Sequence, residues 1–228
     1  MNDHVNPANP GRRAGGFTLV EVMMVVAILG VLIAMTLVAF DAMGRRGALQ
    51  NVAFDLQGVL TTARAQASSR GHPVWVVVYT TASREDRLAT TGQGAFALVE
   101  DPDGRFVRAP ADLFALPIDK TSADVSATYF LEDYSKQVRF AALTPGQEGQ
   151  YGPPFAALKV QTCSFCSVDA PVRGAIVFRA DGSARFVDGQ GEHKDGANQA
   201  LALSTVDRTN QYLFAISGPS AYVATFSP

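Results

Sequence analysis

Residues 17–40 read FTLVEVMMVVAILGVLIAMTLVAF, and this run decides the fold. Its only ionisable side chain is Glu21. As a helix, its 24 residues extend roughly 36 Å, more than the roughly 30 Å hydrocarbon core of a bilayer. The run is therefore long and apolar enough to cross a membrane. Ahead of it, residues 1–16 read MNDHVNPANPGRRAGG. That piece is polar, rich in Gly, Pro and Asn, and has no apolar run from which to build a core. Arg12 and Arg13 against Asp3 give it a net charge of +1, which leaves −3 on the remainder of a chain whose total is −2.

Two ordinary explanations of the run are weighed first. A secretory signal peptide has an apolar region of about 7–15 residues followed by small residues at its cleavage site. Here the apolar run is longer, and DAMGRRGAL follows it without an A-x-A pattern. A plain single-pass anchor has the right length. Neither explains Glu21, because a carboxylate inside a membrane helix costs on the order of 3 kcal/mol and points to function. The plainer account of Glu21 is that it sits near the helix start, reaches the headgroups and complements the helix dipole.

Gly16-Phe17-Thr18-Leu19-Val20-Glu21 followed by an apolar run resembles the class III signal of type IV prepilins. The features stand in register: Gly before the cut, Phe after it, Glu five residues in, then about 20 apolar residues, with Arg12-Arg13 in the leader. The resemblance implies cleavage by prepilin peptidase between Gly16 and Phe17 on the cytoplasmic side and N-methylation of Phe17. It implies that the apolar helix is retained as the packing core of a filament. It also supplies Glu21 with an assembly partner, the terminal amine of a neighbouring subunit. A buried pair of this kind would select one axial register, since removal of one member costs about 3–5 kcal/mol. Arginines flank the span evenly, Arg12 and Arg13 before it and Arg45 and Arg46 after it. The N-in, C-out orientation is therefore what the resemblance implies, and not what the charges decide.

Beyond the span, Leu49, Val52, Leu56, Val59, Leu60, Ala63 and Ala67 recur at spacings of three and four. This amphipathic stripe predicts that the helix continues and packs on a sheet, with Gly71 and Pro73 ending it. Gly30, inside the apolar run, suits either bending or close helix packing. PVWVVVYT, residues 73–80, reads as a strand by its β-branched and aromatic content, and residues 95–100 as another. Asp101-Pro102-Asp103-Gly104 predicts a hairpin turn into a strand at 105–108. Further strands are expected near 127–131, 138–143 and 155–161. Hairpins are expected at 174–187, turning at Asp181-Gly182, and at 211–226, turning at Gly218-Pro219-Ser220. Residues 144–154 and 188–200 read as loops. The sum is six to eight strands and an α+β fold, with an antiparallel sheet on a long N-terminal helix. The expected domains are a leader at 1–16, a transmembrane assembly helix at 17–40, its amphipathic continuation at 41–70, and a β-rich head at 71–228.

The segment LTTARAQA at 60–67, the Val-rich strand after it, and Ile176-Val177-Phe178 with Asp181-Gly182-Ser183 resemble H-type minor pseudopilins and FimT-like minor pilins. The resemblance implies a subunit that primes, caps or enters a type IV pilus or a type II secretion pseudopilus. Its partners would be other pilin or pseudopilin subunits, prepilin peptidase, an inner-membrane assembly platform and the lipid bilayer. Its location would be the inner membrane before assembly, and the periplasm or a surface filament after it. No cofactor, metal or catalytic residue is expected.

Other chemistry finds little support. Cys163 and Cys166 are the only cysteines. An oxidising compartment favours a disulfide between them, with free thiols, half a metal site or a redox motif as alternatives. His4, His72 and His193 form no H-x-x-x-H pair, and there is no G-x-S-x-G elbow or Walker loop. Some FimT-like pilins capture DNA through C-terminal basic residues. No Lys or Arg follows Arg208 here, which leaves Arg179, Arg185 and Lys194 as a small patch. Nucleic acid is not expected as a partner. The competing class of function is a membrane-tethered extracytoplasmic binding or enzymatic domain, which would have no use for the Gly16, Phe17 and Glu21 register.

Overall fold

The computed structural model describes residues 16–118, 122–144, 152–156, 158 and 162–227, with the side chains at 38, 41 and 42 excepted. The chain divides into two compact units, one ending at Ala42 and one beginning at Met43. A single helix, α1 (Leu19–Arg70), contributes to both.

In the first unit α1 is apolar and exposed. Leu19–Leu37 qualifies as a membrane span, and none of it is buried against protein. In the second unit the predicted stripe is the buried face: Leu49, Val52, Leu56, Val59, Leu60, Ala63 and Ala67 are all in the core. The helix ends where the sequence places its stop. Gly71 takes φ 72° and donates its N–H to Ala67 O at 3.1 Å, a left-handed cap that a side chain would strain.

Among the described residues the head has nine strands in two antiparallel sheets, where one sheet of six to eight strands was expected. The first sheet has the order β3-β2-β1-β5-β6, from β1 (Val74–Tyr79), β2 (Ala95–Glu100), β3 (Val125–Phe130), β5 (Arg173–Phe178) and β6 (Ala184–Asp188). The second has the order β4-β7-β8-β9, from β4 (Val138–Phe140), β7 (Asn198–Thr205), β8 (Gln211–Ser217) and β9 (Val223–Phe226). Val74, Val76, Val78, Ile176 and Phe178 of the first sheet join α1 in one core with Leu201, Leu203, Phe214 and Ile216 of the second. Both outer sheet faces are also covered. Trp75, Val77, Val99 and Val177 meet Phe106, Leu113 and Phe114, which is why every residue of β1 is buried. Ala200, Ala202, Leu213 and Ala215 meet Leu143 and Phe155.

Three local expectations are corrected. Residues 105–108 form not a strand but a helical turn, α2 (Arg105–Arg108), followed by α3 (Pro110–Leu113). The cause is Asp101, which is buried. Its carboxylate accepts the N–H groups of Arg105 at 2.7 Å, Phe106 at 3.1 Å and Val107 at 3.2 Å, so it organises a helix start. The expected loop at 188–200 ends early, because β7 begins at Asn198, and Asp188 is buried. The expected strand at 155–161 is not a strand at 155, 156 and 158, while 157 and 159–161 lie outside the described residues. The leader up to residue 15 and most of the loop expected at 144–154 also lie outside them.

Candidate processing and assembly site

Gly16, Phe17, Thr18 and Glu21 come together at the head of α1. Phe17 is 87% exposed. Glu21 Oε2 accepts two hydrogen bonds from Thr18, one from its N–H and one from its hydroxyl, each at 2.9 Å. The Glu21 N–H donates back to Thr18 Oγ at 3.3 Å. This is a reciprocal capping box, in which two otherwise unpaired helix-start donors find partners. Thr18 is a member of the site that the sequence reading passed over, although its T-x-x-E spacing to Glu21 is the signature of such a box. Glu21 thus has a local structural task within the chain as well as any task between chains.

The second unit holds its part of α1 with polar ties as well as apolar burial. Arg45 pairs with Asp207 of the β7–β8 turn at 3.7 Å. The Thr205 hydroxyl, the Thr209 N–H and hydroxyl, and the Arg45 charge hold the Asp207 carboxyl down at about 2. Tyr134 donates its hydroxyl to Asp55, and that bond, added to burial, raises the phenol above its ordinary range. Arg70, in the last turn, pairs with Glu100, which also accepts the Ser126 hydroxyl at 2.9 Å. Burial acts to raise the Glu100 carboxyl, but the Arg70 and Ser126 bonds outweigh it and hold it below the usual range.

Cys163 and Cys166 lie in the second unit and are joined in a disulfide with Cα atoms 5.4 Å apart. Their loop bridges the two sheets. Ser164 N–H donates to Ala200 O of β7 at 2.8 Å, and Ser167 N–H donates to Arg173 O of β5 at 2.9 Å. Phe165 inserts fully into the central core. Gly174 makes room for it, since a Cβ there would stand 2.9 Å from the Phe165 ring and 3.1 Å from Cys166 Cα.

Among the described residues no group of three or more His, Cys, Asp and Glu is placed to hold a metal. Two of the three cations in the small basic patch are paired with carboxylates, Arg179 with Asp181 at 3.7 Å and Lys194 with Asp188 at 2.9 Å.

An exposed apolar helix long enough to cross a membrane, headed by a small residue and an aromatic and followed by a compact β-rich unit, supports membrane anchoring. The prokaryotic N-terminal methylation motif matches residues 11–37. The chain therefore carries the class III signal of type IV prepilins. That signal marks a pilin-like, structural protein that interacts in general with other pilin subunits and with prepilin peptidase. Comparison with curated proteins and with solved structures gave no match.

Proposed function

We propose that the protein is a minor pilin or pseudopilin of the FimT or H type. Prepilin peptidase cuts it between Gly16 and Phe17, and Phe17 is then N-methylated. Residues 17–40 hold the precursor in the inner membrane with its N-terminus in the cytoplasm, residues 41–70 carry the head, and residues 71–228 face outward. On assembly the apolar helix passes from lipid into the filament core. There Glu21 meets the terminal amine of a neighbouring subunit and fixes the axial register.

One observation carries this reading: Gly16, Phe17 and Glu21 stand in prepilin register at the start of a helix whose stretch Leu19–Leu37 is apolar and, among the described residues, buried by none. Such a surface needs either lipid or other helices, and a filament core supplies the second. Peptide mass spectrometry of sheared surface filaments and of membranes from the native host tests it. An N-terminal peptide beginning at N-methylated Phe17 is expected. Its presence in filaments identifies a pilus subunit, and its confinement to membranes favours a pseudopilin or a priming role. A mature chain that keeps Met1–Gly16 would overturn the reading in favour of a tethered extracytoplasmic domain.

A further inference from the structure

The cover on the outer face of the first sheet stops short of the turn between β5 and β6. There lies a cavity of about 210 Å³, lined by Trp75, Val107, Val177, Arg179, Arg185 and His193. Strand register brings these residues together. Trp75 stands beside Val177, and Val177 beside Arg185, in one row across β1, β5 and β6. Arg179 is two residues past Val177 and so belongs to the same face. Val107 is half-exposed, while Val177 and Trp75 are buried and make the inner wall. An apolar wall thus meets two guanidinium groups and an imidazole, with no carboxylate in the lining.

Two arginines on one face of a hairpin repel unless an anion lies between them. Asp181, in the turn, meets only part of this demand. Its Oδ1 accepts the Ser183 N–H at 2.9 Å and hydroxyl at 2.6 Å, and its Oδ2 stands 3.7 Å from Arg179. Arg185 is the remaining cation of the small patch. Among the described residues it makes no hydrogen bond and no ion pair. The other acids nearby do not serve it. Asp101 accepts the Trp75 indole N–H and three backbone N–H groups, and Asp188 holds Lys194. Glu192 and Asp195 are exposed and do not line this cavity. Asp195 lines a neighbouring cavity of about 460 Å³, which shares Arg185 and His193 with the first.

An occupant must bring a negative charge to the arginines and a compact apolar body to the wall. A carboxylate is planar and takes an arginine in bidentate fashion. An apolar cavity of about 150 Å³ holds a benzene ring, so about 210 Å³ accommodates a phenyl or branched aliphatic group. We infer that this cavity binds a carboxylate bearing one compact apolar group, either a free acid or the C-terminus of a polypeptide ending in an apolar residue. Arg185 takes the carboxylate, with Arg179 and His193 at its sides, and Val107, Val177 and Trp75 take the apolar group. For a polypeptide, the preceding residues occupy the neighbouring cavity. The site lies wholly in the second unit and needs no assumption about the anchor.

The test uses full-length protein in dodecyl maltoside, with free ligand measured by dialysis. The single tryptophan gives a single indole N–H resonance. It is followed during titration with hydrocinnamate, its neutral amide, acetate, and an acetylated tripeptide ending in phenylalanine with a free or an amidated C-terminus. A saturable shift is expected with hydrocinnamate. The amide should bind about tenfold more weakly, having lost a charge-assisted hydrogen bond. Acetate should be weaker by at least about tenfold, since it leaves the wall uncovered. Arg185→Gln, at an exposed position, should weaken hydrocinnamate about tenfold and leave the amide nearly unchanged. Absence of a saturable shift would overturn the site. Equal binding of acid and amide, or of hydrocinnamate by parent and Arg185→Gln, would overturn the carboxylate assignment, and equal binding of acetate would overturn the apolar one. A free-terminus peptide that binds more tightly than hydrocinnamate and than its own amidated form upholds the site for a polypeptide end. Tighter binding of hydrocinnamate than of either peptide upholds it for a free acid.

Discussion

At the scale of single residues, Glu21 serves two structures that can be separated. Within the chain it closes a capping box with Thr18, and glutamine can do the same, because the box needs an acceptor and not a charge. Between chains the proposed pairing with a terminal amine needs the charge. Glu21→Gln should therefore insert and be processed with its helix start intact, yet lower filament yield at least about tenfold, in keeping with a lost buried ion pair. Glu21→Ala should lose the cap as well, at about 1 kcal/mol of helix stability. Immunoblots of sheared filaments and of membranes read both effects. If Glu21→Gln polymerised like the parent while Glu21→Ala did not, the residue would act as a cap and the amine pairing would be wrong.

At the scale of elements, the four-residue disulfide loop works as a stitch between β5 and β7. A closed loop this short removes little freedom from the unfolded chain, about 2 kcal/mol on the chain-entropy account. Replacing Cys163 and Cys166 together by serine should lower the unfolding free energy of the detergent-solubilised protein by about that amount, read as a fall in its urea midpoint. An unchanged midpoint would mean that Phe165 and the Ser164 bonds hold the loop alone. Elements also differ in how well the sequence announced them. α1, β1 and the β5–β6 hairpin were legible because each obeys a local rule: a stripe at spacings of three and four, a β-branched run, an Asp-Gly turn. β7 was not, since NQALALST is rich in Ala and Leu, which have little strand preference of their own. It is a strand because Leu201 and Leu203 face the central core while Ala200 and Ala202 face the outer one. The turn at Asp101 misled for the opposite reason. Its local pattern is that of a hairpin, but a buried carboxylate shared among three N–H groups outranks the pattern. At the helix start the register of Gly16, Phe17 and Glu21 was visible, and the T-x-x-E spacing that marks Thr18 was there to be read as well, since α1 begins at Leu19 directly after it.

For the whole molecule, acid should be the weak direction. Glu100, Asp188 and Asp207 are all held below their ordinary range. At Asp188 burial opposes this, but the Lys194 bond and the N–H groups of Glu192 and Gln190 prevail. A carboxyl that is more acidic in the folded than in the unfolded state stabilises the fold above its unfolded value, near 4. That contribution fades as pH falls through the folded value, which for Asp207 is about 2. Urea midpoints should therefore be level from pH 7 to about 5 and drop between about pH 4 and 2. A midpoint that rose on acidification would contradict these assignments. The covering of the first sheet by α2 and α3 has a further, optical consequence. The protein has one tryptophan, Trp75. It is wholly buried beneath that cover, on the sheet face turned away from α1, with its indole N–H 3.3 Å from Asp101. Its fluorescence thus watches the seam between sheet and cover while staying blind to the lipid, detergent or neighbouring helices around residues 17–40, so the head can be followed as it folds or loosens whatever medium holds the anchor.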